Sequence, residues 1–116
     1  MMMTYKLRPA YGSNHWLIEF GMVPDQKTLV AHLLDTLQPI NAIVGSIADV
    51  WMNDEVWITM HSNVGEFTLT YAVWDTAFIM AESNQAGLLR VDAILSAHAD
   101  YTKEAIDVND YKTKRK

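Results

Sequence analysis

The stretch Glu55-Val56-Trp57-Ile58-Thr59-Met60-His61-Ser62-Asn63-Val64-Gly65-Glu66-Phe67-Thr68-Leu69-Thr70-Tyr71-Ala72-Val73-Trp74 decides the fold. Val56, Ile58 and Met60 alternate with Glu55, Trp57, Thr59 and His61. Phe67, Leu69, Tyr71 and Val73 alternate in the same way with Glu66, Thr68, Thr70, Ala72 and Trp74. A period of two is strand spacing, because successive side chains of a strand leave opposite faces. Ser62-Asn63-Val64-Gly65 supplies the turn between the strands. Pairing residues whose numbers sum to 127 sets Met60 against Phe67, Ile58 against Leu69 and Val56 against Tyr71. The reverse side then joins His61 to Glu66, Thr59 to Thr68 and Trp57 to Thr70. A one-residue slip would mix apolar and polar faces, so burial of one side specifies this register.

The preceding hairpin has two solutions. A two-residue turn at Asn53-Asp54 pairs Trp51 with Val56 and aims Asp49 at the core. A three-residue loop, Asn53 to Glu55, pairs Val50 with Ile58 and Trp51 with Trp57, and keeps Asp49 outside. The second is preferred because an unpaired buried carboxylate is costly. It lacks the glycine that such loops favour at their left-handed position. The meander runs from Ile40 to Met80 and ends, after Asp75-Thr76, in a short apolar strand, Ala77 to Ala81.

Outside the meander, Met3 to Arg8 reads as a strand ended by Pro9, and Tyr11-Gly12-Ser13-Asn14 as a turn. His15 to Phe20 alternates again, with Trp16, Ile18 and Phe20 on one side, and Gly21 closes it. Asp25 is an N-cap candidate for a helix whose stripe is Leu29, Val30, Leu33, Leu34 and Leu37, and Pro39 stops that helix. Ser83 is placed as the cap of a second helix, with Leu88, Val91, Ile94, Leu95 and His98 on its stripe. Tyr101 to Tyr111 reads as a charged, partly helical segment docked through Ile106 and Tyr111. The expected architecture is α+β: an antiparallel sheet of about six strands, a meander at its centre, packed on one face by two helices. Residues 1–111 make one domain, and 112–116 form a basic, disordered tail.

The 116 residues include no cysteine, which removes disulfides, thiolate metal sites and cysteine nucleophiles. The formal charge is −5. Four of the nine basic residues (Lys112, Lys114, Arg115 and Lys116) lie in the tail, so the body carries 5 − 14 = −9. A body that acidic repels phosphate backbones, which argues against nucleic-acid binding. No apolar run approaches the roughly 20 residues needed to cross a bilayer, and the start lacks the order of a secretion signal. A cytoplasmic location is the expectation.

His15, His32, His61 and His98 stand in no H-x-x-x-H or H-E-x-x-H spacing. No phosphate-cradling glycine loop and no G-x-S-x-G elbow occurs. Asp49, Asn53, Asp54 and Glu55 miss the spacing of a calcium loop. His61 opposite Glu66 is the best polar pair, and nothing nearby activates the Thr59 or Thr68 hydroxyl as a nucleophile. No catalytic residue, metal or cofactor is expected, and the alternative reading is a small ligand-binding or enzymatic domain using His61, Glu66 and Thr59, or a structural homo-oligomer. Met22, Met52, Met60 and Met80 are spread out and read as core filler.

The tryptophans carry the functional reading. Trp51, Trp57 and Trp74 fall on the side of the meander away from the helices, among Asp49, Thr59, His61 and Glu66. Large aromatic anchors within a polar rim mark a protein-contact surface. A protein partner is the first expectation for it, and cover by the chain's own N-terminal strands or C-terminal segment, or by a second copy of the chain, are the alternatives.

The back half, through Gly65-Glu66-Phe67, Trp74-Asp75-Thr76-Ala77-Phe78-Ile79-Met80-Ala81-Glu82-Ser83-Asn84-Gln85 and Tyr101-Thr102-Lys103-Glu104-Ala105-Ile106-Asp107-Val108-Asn109-Asp110-Tyr111, resembles small bacterial immunity proteins, the inhibitors of contact-dependent or polymorphic toxins. The likeness lies in the order strand, tryptophan turn, short strand, helix, then an acidic segment ending in tyrosine. It implies a non-enzymatic inhibitor that neutralises a toxin, and complementary charge would speed encounter with a basic toxin domain.

Overall fold

The computed structural model describes residues 3–10, 14–21, 23–50, 54–72 and 76–111, with the side chains of 50, 110 and 111 left aside. Strands β1 (Met3–Pro9) and β2 (Trp16–Gly21) precede helix α1 (Gln26–Thr36). Strands β3 (Ile43–Val50), β4 (Glu55–Ser62), β5 (Gly65–Ala72) and β6 (Thr76–Met80) follow, then helix α2 (Gln85–Ala97) and the short strand β7 (Tyr101–Lys103). The fold is α+β: a single open sheet in the order β3-β4-β5-β6-β2-β1-β7, with both helices over one face. Among the described residues it has seven strands where about six were expected, and it is mixed, because β7 pairs parallel to β1. The meander is completed on its far side by β2 and β1.

The β4–β5 hairpin has the expected register at every pair, from Ser62 opposite Gly65 to Glu55 opposite Ala72. Burial explains it. Ile58, Met60, Phe67 and Leu69 are sealed on the helical side together with Ile18, Phe20 and Ile79 from β2 and β6. Leu29, Leu33 and Leu37 of α1 and Leu88, Val91 and Leu95 of α2 close over them. Turning any of these strands by one residue would send the apolar set to water, at about 1.5–3 kcal/mol per large side chain.

The β3–β4 hairpin follows neither expected solution. Asp49 lies opposite Val56 and Val50 opposite Glu55, so that four residues of the sequence, 51–54, separate the two paired positions. The missing glycine is supplied for by Asp54, which takes the left-handed conformation at φ 54°, a region that aspartate tolerates better than most residues. The register places Asp49 on the face of Val56, the helical side, rather than among the tryptophans. No burial penalty arises, because β3 extends past the helices and Asp49 is exposed. A bulge between Val44 and Ser46 then shifts the pairing, so that Ile43 meets His61 and Val44 meets Met60. Gly45 occupies the bulge, and a Cβ there would collide with the His61 ring.

Helix α1 begins as expected, with the Asp25 carboxylate accepting from the Thr28 amide and hydroxyl at 3.2 and 2.7 Å. Those hydrogen bonds, the hydroxyl's above all, hold the Asp25 carboxyl below the usual carboxylate range. The helix closes at Leu37, and Pro39 sits in a single 3-10 turn behind it. Helix α2 is capped by Asn84, one residue past the expected Ser83. Asn84 does more than a serine could. Its Oδ1 accepts from the Gly87 amide, while its Nδ2 donates to the carbonyls of Val64 and Glu66. The amide therefore ties the start of α2 to the β4–β5 turn. Gly87 makes room for this tie, since a Cβ there would meet both Asn84 and the Val64 carbonyl.

The expected docked segment after α2 is strand β7 followed by a 3-10 turn over Val108–Tyr111. Ile106 is half-buried there. The tail 112–116 lies outside the described residues. No helix among the described residues is long and apolar enough to cross a membrane.

Candidate functional site

Facing away from the helices, side chains of neighbouring strands line up in rows. One row runs Ala48, Trp57, Thr70, Phe78, Glu19 and Lys6, and the next Ser46, Thr59, Thr68, Met80, Leu17 and Arg8. Strand β5 contributes only short side chains to this face beyond Glu66, namely Thr68, Thr70 and Ala72. Its neighbours contribute tall ones, Trp57 from β4 and Phe78 and Met80 from β6. A low strand between two high ones makes a trough. Its volume is about 520 Å³, with Thr68 and Thr70 as the floor and Trp57, Phe78 and Met80 as the walls. Glu55, Glu66 and Glu82 stand at its margin.

The walls are firm. The Trp57 indole remains 45% exposed and is held by its Nε1, which donates to Glu55 Oε1 at 2.9 Å. Behind Phe78, the guanidinium of Arg8 lies 5.8 Å from the ring centroid. Arg8 is buried, and its Nε donates to Glu19 Oε1 at 2.6 Å while Nη1 donates to the Pro9 carbonyl at 3.0 Å. That pair cancels a charge beneath the surface, so the carboxylates dominate the field at the trough. At the end of the hairpin, His61 Nδ1 lies 3.3 Å from Glu66 Oε2. Both side chains are more than half exposed, and such a pair is worth a fraction of a kcal/mol.

The structure thus gathers Trp57, Thr59, His61 and Glu66 on one face, as the sequence placed them. Asp49 belongs to the other face. Trp51 and Trp74 lie outside the described residues. Compared with protein-family models, with curated proteins and with solved structures, the chain finds no significant match. The site must therefore speak through its own geometry. Thr70 and Glu55 lie on the face where the sequence put them, whereas Phe78, Met80 and Glu82 were missed by sequence reasoning. Ala77 to Ala81 is apolar at every position, so its alternation has no polar phase to reveal which side faces out.

A second polar cluster lies on the helical side. His32 of α1 places Nδ1 2.7 Å from the Tyr101 hydroxyl and Nε2 3.2 Å from Asp100 Oδ2. His98 accepts from the Asp100 amide through Nδ1, and its ring stands edge-on to Tyr101 at 5.5 Å. Burial, the dominant cause, pushes the Tyr101 hydroxyl up to about 12, so it keeps its proton in neutral solution. Tyr5 behaves alike: burial first, then its bond to Asp92, raises it further. These groups fasten β7 to α1 and α2. Among the described residues, no group of three or more histidine and carboxylate side chains is placed to hold a metal ion.

Proposed function

We propose that this chain is a non-enzymatic binding domain that neutralises a basic protein partner through the outer face of its sheet, in the manner of an immunity protein acting on a toxin in the cytoplasm. The observation that carries the reading is the trough itself: an apolar groove of about 520 Å³ in open solvent, walled by Trp57, Phe78 and Met80 and ringed by three glutamates. Apolar walls accept the stem of an arginine or lysine, or an aromatic side chain, and the rim carboxylates accept a cationic head. Rim charges of one sign raise the association rate, whereas a central indole governs dissociation. The net charge of −5 works in the same direction over longer distances.

The test is protection in cells. The C-terminal domain of any large exported protein found encoded beside this chain is produced with and without it, and growth is scored. The unmutated chain restores growth. Trp57→Ala weakens binding by about 30-fold or more in calorimetry with the purified domain, as a central anchor should. Glu66→Lys combined with Glu82→Lys slows association. No protection by the unmutated chain contradicts the function. Protection unchanged by all three substitutions removes the trough as the docking surface.

A further inference from the structure

The two edges of the sheet are unlike. The β7 edge is defended by the usual means: it is three residues long, its Thr102 and Lys103 are exposed, and Glu104 follows directly. The β3 edge has eight residues, Ile43-Val44-Gly45-Ser46-Ile47-Ala48-Asp49-Val50, with no lysine, no proline and a single charge. It is the terminal strand, and its Ile43 and Ile47 are each 61% exposed. The bulge at Gly45 and the Asp49 carboxylate blunt this edge only towards its ends, and the run between them presents a row of backbone donors and acceptors to another strand.

We infer that β3 pairs antiparallel with β3 of a second copy of this chain, joining two sheets into one through a two-fold axis at Ile47. Charge selects this occupant. The chain as a whole repels itself, and β3 is the nearly neutral strip where two acidic bodies can meet. A basic partner would find one carboxylate there and three at the trough. Symmetry then selects the register. With Ile47 opposite Ile47 of the second copy, both isoleucines share the helical face and cover each other, and Ser46 faces Ala48. Asp49 falls opposite Gly45 of the second copy. The two Asp49 carboxylates are then four positions apart along the strand, roughly 13 Å at ~3.4 Å per residue, beyond the ~8 Å screening length at physiological salt. A register centred on Ala48 would instead set Asp49 against Ile47 and deny the isoleucine a cover. In the chosen pairing, the trough faces of both copies stay open on the same side of the joined sheet.

Sedimentation of the full chain over a wide concentration range tests this. The unmutated protein is expected to be dimeric. Ile47→Lys places like charges directly opposite and raises the dissociation constant at least ~100-fold. Ile47→Glu does the same, and an equal mixture of the two variants restores a dimer. Circular dichroism of each variant confirms that the monomer is folded, which is expected because Ile47 is exposed. Trp57→Ala leaves the dimer intact, so this result is independent of the docking face. An unmutated chain that is monomeric at every concentration, a dimer indifferent to Ile47→Lys, or a mixture that stays monomeric overturns the inference.

Discussion

Phe67→Ala is expected to destabilise the fold by about 3–5 kcal/mol, whereas Thr68→Ala, its neighbour on the same strand, changes stability by less than about 1 kcal/mol. Phe67 is 1% exposed, opposes Met60 and belongs to the core sealed by both helices. Removing its ring forfeits the transfer free energy of the lost atoms and leaves a void that fixed backbones on β4 and β6 cannot fill. Thr68 points into the trough, where water already reaches it. A domain of this size has a total stability of about 5–15 kcal/mol. The first substitution therefore removes a large fraction of the whole, and the second almost none. Urea unfolding followed by circular dichroism reads both, and an unchanged slope with a shifted midpoint is the expected form. Equal effects at 67 and 68 would contradict the assignment of faces on which the site depends.

Glu19→Ala is expected to cost about 2–3 kcal/mol. Arg8 is buried beside Phe78, and its Nε bond to Glu19 is the shortest link in that region of the face. Breaking a fully buried ion pair by removing one partner costs about 3–5 kcal/mol, because the remaining charge stays in a poor environment. The figure here is lower, since the Glu19 side chain is 28% exposed and Arg8 also donates to the Pro9 carbonyl. Replacing both residues, as Arg8→Met with Glu19→Leu, should recover most of the loss by removing the stranded charge along with its partner. A double-mutant cycle in urea measures the coupling. A double variant no more stable than Glu19→Ala would show that the pair holds the strands together rather than relieving a buried charge.

The strand pair β4–β5 was legible in the sequence because its two faces differ at every position. Phe67 and Leu69 could go only inward if Glu66 and Thr68 were to stay wet. The helix stripes were legible for the same reason, and so was the Asp25 cap. The β3–β4 register was not legible. The expectation assumed that Asp49 must avoid a buried face, but at an edge strand reaching beyond the helices that face is itself in water. The bulge at Gly45 left no local mark except the glycine, whose need arises from His61, sixteen residues later. Asn84 was passed over for Ser83 because both residues cap helices. Only the tertiary bonds of its amide to Val64 and Glu66 separate them. The parallel strand β7 rests on Tyr101, a residue whose hydroxyl meets its partners His32 and Thr36 of α1 only in three dimensions. Of the candidate site, the β4 and β5 side was readable and the β6 wall was not, since an apolar run such as Ala77 to Ala81 has no phase.

Docking at the trough requires the Trp57 side chain to stand in water on the open face of the sheet. Proton–nitrogen NMR in the presence of an inert, soluble gadolinium chelate measures that directly, with Trp57→Phe identifying the indole signal. The Trp57 Nε1–H resonance is predicted to broaden as readily as the side-chain amide of the exposed Asn63, while the backbone amides of Ile58 and Leu69 stay sharp. A Trp57 indole as protected as those core amides would mean that the trough is covered and that no partner docks there.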